Sequence, residues 1–539
     1  MRIDADVAIV GSGFSGTLTA LALRRIGRSV VLLERGRHPR FAIGESSTPL
    51  ANLLLEELCD RYDLARIRPL SKWGTWRRAH PQVACGLKRG FSFYRHDAGA
   101  AFADDAAHGR QLLVAASPHD DIADTHWYRP DFDSFLASEA EAAGALHLDE
   151  THLDGVCFEG GRVRLSGRRQ GRGIAVNAGF LVDASGPRGF LHRALGLRDA
   201  PTRWLPGTQG LYTHFEGVKR WDALVPSAER PPYPVDDAAL HHVFPGGWIW
   251  MLRFSNGLTS AGAAVTDALA GELRLAEGGS AWHRLLALLP SVRDQFDGAR
   301  ATLPFVHAPR VAFRSDTVVG PCWALLPSAA GVIDPLLSTG FPLTLLGIAR
   351  LLAILETTEG PEREARLQDY ARRTQEELDA TERLVAALYA TMADFPLFKR
   401  LSLLYFAAAS YSEAVRRLGR PERAPGFLLC RDPAFGPELL ACADAALAVP
   451  GAAERRALFD RIDRAIEPYD IAGLLDRGRR DWYPVRAEDL RAAAPRLGAS
   501  AAETDRLLAR CGFFPPTSTG CASGWPGSSP GSCGSPAGC

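Results

Sequence analysis

The sequence of 539 residues lacks several features that would place it in particular protein classes. It has no uninterrupted run of roughly 18 apolar residues, which a membrane span needs. Its first residues, Met1–Asp6, do not have the pattern of a signal peptide. We therefore expect a cytoplasmic protein without an integral membrane span. The 62 basic residues equal the 62 acidic residues, which argues against a nucleic-acid partner because such proteins carry a basic excess.

Metal-binding motifs are also missing from the sequence. Its ten cysteines form no CxxC pair, and no HExxH motif occurs, so we expect no metal site. Four of the cysteines lie in the last stretch, Cys511–Cys539, which is otherwise dominated by glycine, serine and proline. Such a composition buries too little apolar surface to offset the entropy of ordering, so this tail is predicted to be disordered.

The N-terminal segment, residues 5–34, has the pattern of a β-α-β unit. A short apolar strand, Ala5–Val10, is followed by a glycine-containing turn, a helix with apolar residues at helical spacing over Thr17–Ile26, and a second strand, Ser29–Glu34. This order of elements predicts an α/β fold with a Rossmann-like nucleotide-binding domain.

The rest of the chain divides by its composition into further regions. We predict a core over residues 1–365, which includes an inserted substrate-domain β-sheet at about 205–265. A mainly helical C-terminal region is expected over 366–510, and the disordered tail over 511–539. This division rests on short β-like runs in the middle of the chain and on Ala-, Leu- and Arg-rich helical patterns beyond it.

A glycine motif of the form GxGxxG follows the first strand and opens the first helix. The first glycine makes the tight turn, the second lets a pyrophosphate approach the backbone, and the third lets the helix pack on the sheet. The helix N-terminus attracts phosphate, and the acidic residue that ends the next strand can accept from ribose hydroxyls. These positions predict a dinucleotide site formed by Gly11, Gly13, Phe14, Ser15, Gly16 and Glu34.

The choice of dinucleotide depends on a second segment. Phe180–Gly186 is an apolar strand that ends in Asp-Ala-Ser-Gly, and it is similar to a strand of many FAD-dependent monooxygenases. In combination with the glycine motif, it favours FAD over NAD.

Four further segments resemble, in the same order, the motifs of flavin-dependent halogenases in the FAD-dependent monooxygenase-like superfamily. Gly44–Pro49 is similar to a GESxxP segment and Lys72–Gly74 to the K-x-G that carries an active-site lysine. Gly247–Trp250 is similar to the start of a WxWxIP motif, and Gly331–Gly340 to a GFxDPLxSxG segment. The resemblance covers about two-thirds of the chain.

This resemblance implies a reaction in which reduced FAD, oxygen and chloride or bromide yield hypohalous acid. A lysine then directs the acid at an aromatic ring; Lys72 is the candidate and Lys88 the rival. The halide is expected at Thr339 and Gly340, and Trp248 and Trp250 are expected to close the substrate region against ordinary monooxygenation. Besides the dinucleotide motif, the expected FAD contacts are Ser46, Arg129 and Asp334.

Departures from the family pattern bear on the substrate. Leu337 stands where tryptophan-specific members have Glu, so the resemblance implies a non-tryptophan type acting on a phenol, a pyrrole or an aromatic polyketide or polyene. Met251–Arg253 follows Trp250 where the family often has an Ile-Pro pair, and Ser328 replaces the Asp that usually contacts the ribityl chain. A base for a phenol is not assigned; the candidates are His119, His126, His241 and His242.

Partners and alternatives complete these expectations. No NADPH site is evident, so a separate flavin reductase is expected to supply reduced FAD. The aromatic substrate is expected either free or bound to a carrier protein. The alternative functions are an FAD-dependent monooxygenase, a prenyl-chain reductase, or a non-catalytic flavin-binding scaffold.

Overall fold

The computed structural model describes residues 1–357, 360–448 and 451–514. The predicted disordered tail lies, from residue 515 onward, outside the described residues. The α-helices in the described ranges are α1 (Phe14–Arg25), α2 (Pro49–Arg61), α3 (Trp73–Ala79), α4 (Arg129–Ala142), α5 (Phe190–Ala194), α6 (Trp221–Leu224), α7 (Asp267–Leu273), α8 (Gly279–Leu288), α9 (Pro290–Gln295), α10 (Pro327–Ala330), α11 (Gly340–Thr357), α12 (Gly360–Thr391), α13 (Phe395–Arg417), α14 (Phe435–Leu447), α15 (Ala452–Ile466), α16 (Ala487–Ala492) and α17 (Ala501–Arg510).

The β-strands in the same ranges form two large sheets and two small ones. They are β1 (Arg2–Val10), β2 (Val30–Leu33), β3 (Cys85–Lys88), β4 (Gly90–Arg95), β5 (Gln111–Ala115), β6 (Asp124–Trp127), β7 (Leu146–Leu148), β8 (Thr151–Glu159), β9 (Arg162–Arg169), β10 (Arg172–Asp183), β11 (Thr208–Glu216), β12 (Ala239–Phe244), β13 (Gly247–Arg253), β14 (Thr259–Thr266), β15 (Arg300–Ala301), β16 (Val306–Ala308), β17 (Phe313–Arg314), β18 (Val319–Gly320), β19 (Trp323–Leu325), β20 (Gly331–Val332) and β21 (Trp482–Tyr483).

The first large sheet contains the predicted Rossmann-like unit. Its order is β18-β19-β10-β1-β2-β7, and β1 pairs in parallel with both β2 and β10. Residues 7–10 and 30–33 are buried on both faces of the sheet, because helices cover a parallel sheet on both sides. The helix α1 connects β1 to β2, so the predicted α/β fold class is confirmed.

The second large sheet runs in the order β15-β11-β14-β13-β12-β4-β5-β21. It includes β11–β14, which span the predicted substrate sheet, and it also takes in β4 and β5 from earlier in the chain. Successive side chains along each strand point to opposite faces of this sheet. Trp248 and Trp250 belong to the core shared with the first sheet and the helices, while Ile249 and Met251 belong to a second core beneath α7–α9.

The helical region begins with α12, which pairs with α11, α13 and α14. The predicted limit at residue 365 falls inside α12, and the domain limits remain predictions. Within the described residues one helix, α11, is long and apolar enough to cross a membrane, with a mean hydropathy of 1.5. This helix is 67% buried and packs on α1, α2 and α12, as the core helix of a folded domain does.

The close approach of α1 to the turn before it can be tested at Gly16. A Cβ on Gly16 would lie 1.9 Å from the carbonyl oxygen of Gly11, so Gly16→Ala forces the backbone apart. We expect the variant to lose about 1–3 kcal/mol of unfolding free energy, as overpacked sites do. Chemical denaturation measures the loss. Gly173→Ala in β10 is the control, because a Cβ there meets nothing within 4 Å; equal stability of the two variants would contradict the argument.

Candidate active site

The turn between β1 and α1 has the geometry of a dinucleotide site. Gly13 caps α1 in an extended conformation, so the helix N-terminus is open to phosphate. Glu34 follows β2 and accepts from the backbone N–H of Ser12 at 2.9 Å. Burial raises the pKa of Glu34, but Arg40 and the N–H groups of Gly36 and Ser12 outweigh burial and hold it below its usual value. A carboxylate therefore stands beside the turn, as ribose binding requires.

Arg129 joins the Gly44–Pro49 segment to this turn. Its guanidinium donates to the carbonyl oxygens of Ile43 and Gly44, at 3.1 and 2.9 Å, and pairs with Asp133. A Cβ on Gly13 would lie 3.5 Å from Arg129, so the side chain borders the dinucleotide site. Its hydrogen bonds to protein indicate that it supports the segment, and its contact with FAD remains a prediction.

The Ser338–Gly340 turn leads into α11 and presents a helix N-terminus. Ser338 adopts a positive φ of 54°, a conformation that costs a non-glycine residue about 1–3 kcal/mol. Thr339 is buried, whereas Gly340 is exposed, and a Cβ on Gly340 would meet nothing within 4 Å. The turn therefore opens onto free space in front of a helix N-terminus, which suits an anion such as a halide.

Asp334 holds this turn through a buried hydrogen-bond chain. Its carboxylate accepts from the backbone N–H of Leu336 at 2.9 Å and from the Tyr389 hydroxyl at 2.9 Å. The Trp248 indole in turn donates to the Tyr389 hydroxyl at 3.1 Å. Burial raises the pKa of Asp334 to about 7. Because protein donors engage both of its oxygens, Asp334 is better placed to support the turn than to contact FAD.

An aromatic cluster brings two of the predicted segments together with β6. Phe14 at the start of α1 packs edge-on against Trp127 of β6 and Phe341 of α11, with ring centroids 5.6 and 5.0 Å apart. Trp127 and Phe341 stack at 4.1 Å. The dinucleotide turn, the Ser338–Gly340 turn and β6 therefore meet in one core.

The two tryptophans of β13 lie in the same core. Trp248 and Trp250 are both buried, with ring centroids 5.6 Å apart. Trp250 donates to the Ser260 hydroxyl at 3.3 Å, while Trp248 takes part in the chain through Tyr389. Their predicted role in closing the substrate region remains a prediction.

A cavity of about 190 Å³ lies between the second sheet, α13 and residues from the range 471–513. Its walls are mainly apolar, with polar groups at a few places. The wall residues used below are Asn52, Lys72, Phe91, Asp124, Tyr405, Phe406, Glu413 and Arg417.

Lys72 stands in the cavity wall at the start of α3. Its side chain is 22% exposed, and its Nζ lies 3.7 Å from the Glu56 carboxylate. Glu56 is also paired with Arg417 at 3.2 Å. Lys72 therefore belongs to a surface-linked ion network rather than to a secluded amine site.

Lys88 has the environment that the predicted chemistry requires. It is fully buried, and its Nζ donates to the Ser46 hydroxyl at 2.9 Å and to the carbonyl oxygen of Ser47. The Nζ also lies 3.9 Å from the centre of the Phe91 ring in the cavity wall. Burial lowers the pKa of Lys88 to about 7, against the opposing charge of Asp124. Burial and contacts therefore favour Lys88 over Lys72 for this role, and the identity of the catalytic lysine remains a prediction.

The histidines considered as bases occupy other positions. Burial lowers the pKa of His126, His241 and His242 well below the usual value, so these rings are neutral. His241 stacks on Phe93. His119 hydrogen-bonds to the carbonyl oxygen of Gly512. None of these settings makes a histidine the base of the cavity.

Ser328 lies beside the dinucleotide turn. Its hydroxyl is 3.5 Å from that of Ser15 in α1, and it belongs to the short helix α10 that follows β19. The position that departs from the usual Asp is therefore close to the cofactor site and carries a hydroxyl there.

Sequence reasoning missed Asn52, Asp124 and Tyr389. Asp124 faces Lys88 across the antiparallel β3–β6 pair, and Asn52 donates to its carboxylate at 2.8 Å. Asp124 begins the short strand β6, whose sequence Asp-Thr-His-Trp is mostly polar, so the residue had no local signal. Tyr389 lies inside a long helix and has no local signal.

The residues present fit FAD. The open N-terminus of α1 suits the pyrophosphate, and the Glu34 carboxylate suits a ribose. Beside Glu34, Nε of Arg40 and Nδ1 of His38 are buried without a partner among the described residues. Such orphaned polar atoms beside an acceptor indicate a polar ligand. The expected contact of Ser46 with FAD and that of Gly340 with the halide remain predictions.

Comparison with known proteins supports this assignment. The chain matches the family described as tryptophan halogenase over residues 124–403 and an NAD(P)-binding Rossmann-like domain over residues 9–49. It is 31% identical to tetracycline 7-halogenase from Kitasatospora aureofaciens, over 75% of this chain and 73% of that protein. It is 29% identical to monodechloroaminopyrrolnitrin halogenase PrnC from Pseudomonas fluorescens, over 74% and 70%.

A solved structure resembles the whole fold. The halogenase PltM in complex with phloroglucinol and FAD has a TM-score of 0.79 and 25% sequence identity, covering 88% of this chain and 99% of that chain.

The hydrogen-bond chain beneath the Ser338–Gly340 turn can be tested with Tyr389→Phe. This variant leaves a buried carboxyl group and a buried indole N–H without their partner, which costs about 1–3 kcal/mol of unfolding free energy. Chemical denaturation measures the change. Tyr411→Phe is the control, because its hydroxyl makes only contacts of 3.3 and 3.4 Å. A loss no larger than that of the control would show that the chain does not hold the turn.

Proposed function

Because the chain belongs to the tryptophan halogenase family, as its four motifs predicted, we propose that it halogenates a small electron-rich ring with Lys88 as its catalytic lysine. The cofactor is reduced FAD, and the second substrate is chloride or bromide. The three proteins compared above are all named as halogenases. This favours halogenation over the alternatives of hydroxylation, prenyl-chain reduction and a non-catalytic flavin scaffold.

The position of Lys88 carries the assignment of the lysine. Its amine touches Ser46, in a segment bordering the cofactor site, and the ring of Phe91, in the cavity wall. An oxidant that forms beside the cofactor and reacts in the cavity therefore passes this amine. Lys72 has no comparable link to the cofactor side, since its Nζ pairs with Glu56.

The residues of this chain have defined tasks in such a reaction. Bound reduced FAD, with oxygen, supplies the oxidising power that converts halide to hypohalous acid. The N-terminus of α11 binds the halide through Thr339 and Gly340. Lys88 donates a hydrogen bond to hypohalous acid, or reacts with it as an amine, and its pKa of about 7 keeps both protonation states accessible at neutral pH. The buried aromatic cluster around Phe14 keeps water from the path.

The cavity supports a substrate with a single substituted ring. A cavity of about 150 Å³ is large enough to bind benzene, and this one measures about 190 Å³. Leu337 is fully buried, so the turn offers no carboxylate for an indole. PltM binds phloroglucinol, a phenol. We therefore favour a phenol-type ring, with a pyrrole second, and take the substrate to be free or carrier-bound.

Reduced FAD has to reach the protein from outside. We propose a separate flavin reductase as its source, because the chain has a single GxGxxG motif and that motif serves FAD.

Halogenation can be tested directly with purified protein. The protein is supplied with FAD, a flavin reductase, oxygen and either bromide or chloride, together with a panel of phenols and pyrroles. We expect halogenated phenols in mass spectra because an electron-rich ring attacks hypohalous acid. Hydroxylated products without halogen would overturn the assignment, and heat-inactivated protein controls for solution chemistry.

The two lysines can be separated by matched variants, Lys88→Met and Lys72→Met. Met keeps the length of the side chain but cannot donate a hydrogen bond or form a haloamine. We expect Lys88→Met to lower kcat by about 10²–10⁴, the usual contribution of a catalytic acid or base, with FAD still bound by its absorbance. Lys72→Met should retain most activity. The reverse result would restore Lys72 as the catalytic residue.

A further inference from the structure

We infer that Asp124, oriented by Asn52, is the base that accepts the hydroxyl proton of a phenolic ring in the cavity. The inference rests on the proposed function and adds to it the group that activates the substrate. It also makes the ring hydroxyl the feature that the enzyme selects.

The geometry at Asp124 leaves one oxygen for a ligand. Asp124 lies directly opposite Lys88 in the register of the β3–β6 pair. Asn52 donates to its Oδ1 at 2.8 Å. Its Oδ2 is buried and has no hydrogen-bond partner among the described residues. Since buried polar atoms are almost always paired, a carboxylate in a cavity wall with one orphaned oxygen indicates a donor that binds there.

The other carboxylates near the cavity are already neutralised. Glu413 in its wall pairs with Arg417 at 2.7 Å. Glu56, behind the wall, accepts from Ser71 and pairs with Lys72 and Arg417. Asp124 is therefore the carboxylate of the wall that is free to take a proton from the ring.

The electrostatics around Asp124 suit a base at neutral pH. Burial raises its pKa to about 7, while Lys88 opposes the rise, Glu413 adds to it, and Asn52 and Arg417 lower it. Tyr405 from α13 also faces it, and burial raises the pKa of that phenol above its usual range. A base with a pKa near the working pH is the most effective.

The reaction balances with Asp124 and Lys88 as a pair. The phenolic O–H bond breaks and its proton goes to Asp124, while the ring carbon attacks the halogen of hypohalous acid bound to Lys88. The oxygen–halogen bond breaks, and the leaving hydroxide takes a proton from the Lys88 ammonium to form water. The ring C–H proton then goes to the Lys88 amine, and Asp124 returns its proton to the ring oxygen. The ring carbon is oxidised, the halogen is reduced, and both side chains are restored.

The test is a competition between 3-methoxyphenol and 1,3-dimethoxybenzene. The two rings differ in one oxygen, which carries a proton in the phenol and a methyl group in the ether. The holoenzyme, a flavin reductase, oxygen and bromide are mixed with both rings, and the two brominated products are quantified by mass spectrometry. The product ratio gives the ratio of kcat/KM and does not depend on enzyme concentration. We expect Asp124→Asn to lower the phenol-to-ether ratio by about 10²–10⁴, toward the ratio given by hypobromite in solution.

Two outcomes of the competition separate the proposals. An unchanged ratio in Asp124→Asn, with both rates reduced alike, would overturn the inference, because Asp124 would then act only through Lys88. If the unmodified protein brominates neither of the two rings, the proposed function is overturned instead.

Asn52→Leu gives an independent readout that does not remove the carboxylate. The Asn52 hydrogen bond lowers the pKa of Asp124, so its loss raises that pKa. A base must be deprotonated to work, so the acid limb of kcat/KM for 3-methoxyphenol should shift to higher pH, with activity restored at alkaline pH. An acid limb that stays in place or moves to lower pH would overturn the inference.

Discussion

The burial of the Lys88 ammonium is the constraint on which the rest of the site depends. A charge removed from water is costly unless hydrogen bonds and an opposite charge surround it. Here the Ser46 hydroxyl, the Ser47 carbonyl oxygen and the Asp124 carboxylate meet that need. The two serines belong to the Gly44–Pro49 segment and Asp124 to β6, so both segments must be positioned against β3, which carries Lys88. The buried position on which the proposed role of Lys88 rests is therefore also the one that joins the Gly44–Pro49 segment to the cavity wall.

Rigid packing keeps these segments in a fixed position relative to the Ser338–Gly340 turn. Trp127 follows Asp124 by three positions in β6 and stacks on Phe341 of α11, just after the Ser338–Gly340 turn. From the other side, Trp248 reaches the same turn through Tyr389 and Asp334. Because close-packed cores shift as units rather than deform, the helix N-terminus and the lysine keep a fixed separation.

Local patterns in the sequence predicted the dinucleotide turn, but they did not show how differently the two candidate lysines are buried. Gly11, Gly16 and Glu34 lie within one β-α-β unit, so their order and spacing along the chain were enough to predict a dinucleotide site. The K-x-G spacing occurs twice, at Lys72 and at Lys88, and packing demands the glycine in both copies: a Cβ would clash with Asp121 at Gly74 and with Val114 at Gly90. What separates the two lysines is burial, which arises from strand pairing with β6 and has no signal near Lys88. Asp124 and Tyr389 were missed for the same reason.

The place of the acidic group decides which rings the site can activate. At Leu337, just before the Ser338–Gly340 turn, the side chain is apolar and fully buried. The carboxylate of the cavity wall is instead Asp124, across the strand pair from Lys88. The acid and the lysine therefore lie on neighbouring strands. Burial raises the pKa of Asp124 and lowers that of Lys88, and the charge of each residue opposes the shift of the other. Under the proposed mechanism, a ring hydroxyl is deprotonated by Asp124 beside the amine of Lys88, whereas a ring without a hydroxyl gains nothing from this pair. Under this proposal, the position of Asp124 as a proton acceptor favours phenols. The cavity then needs only to be large enough for one ring.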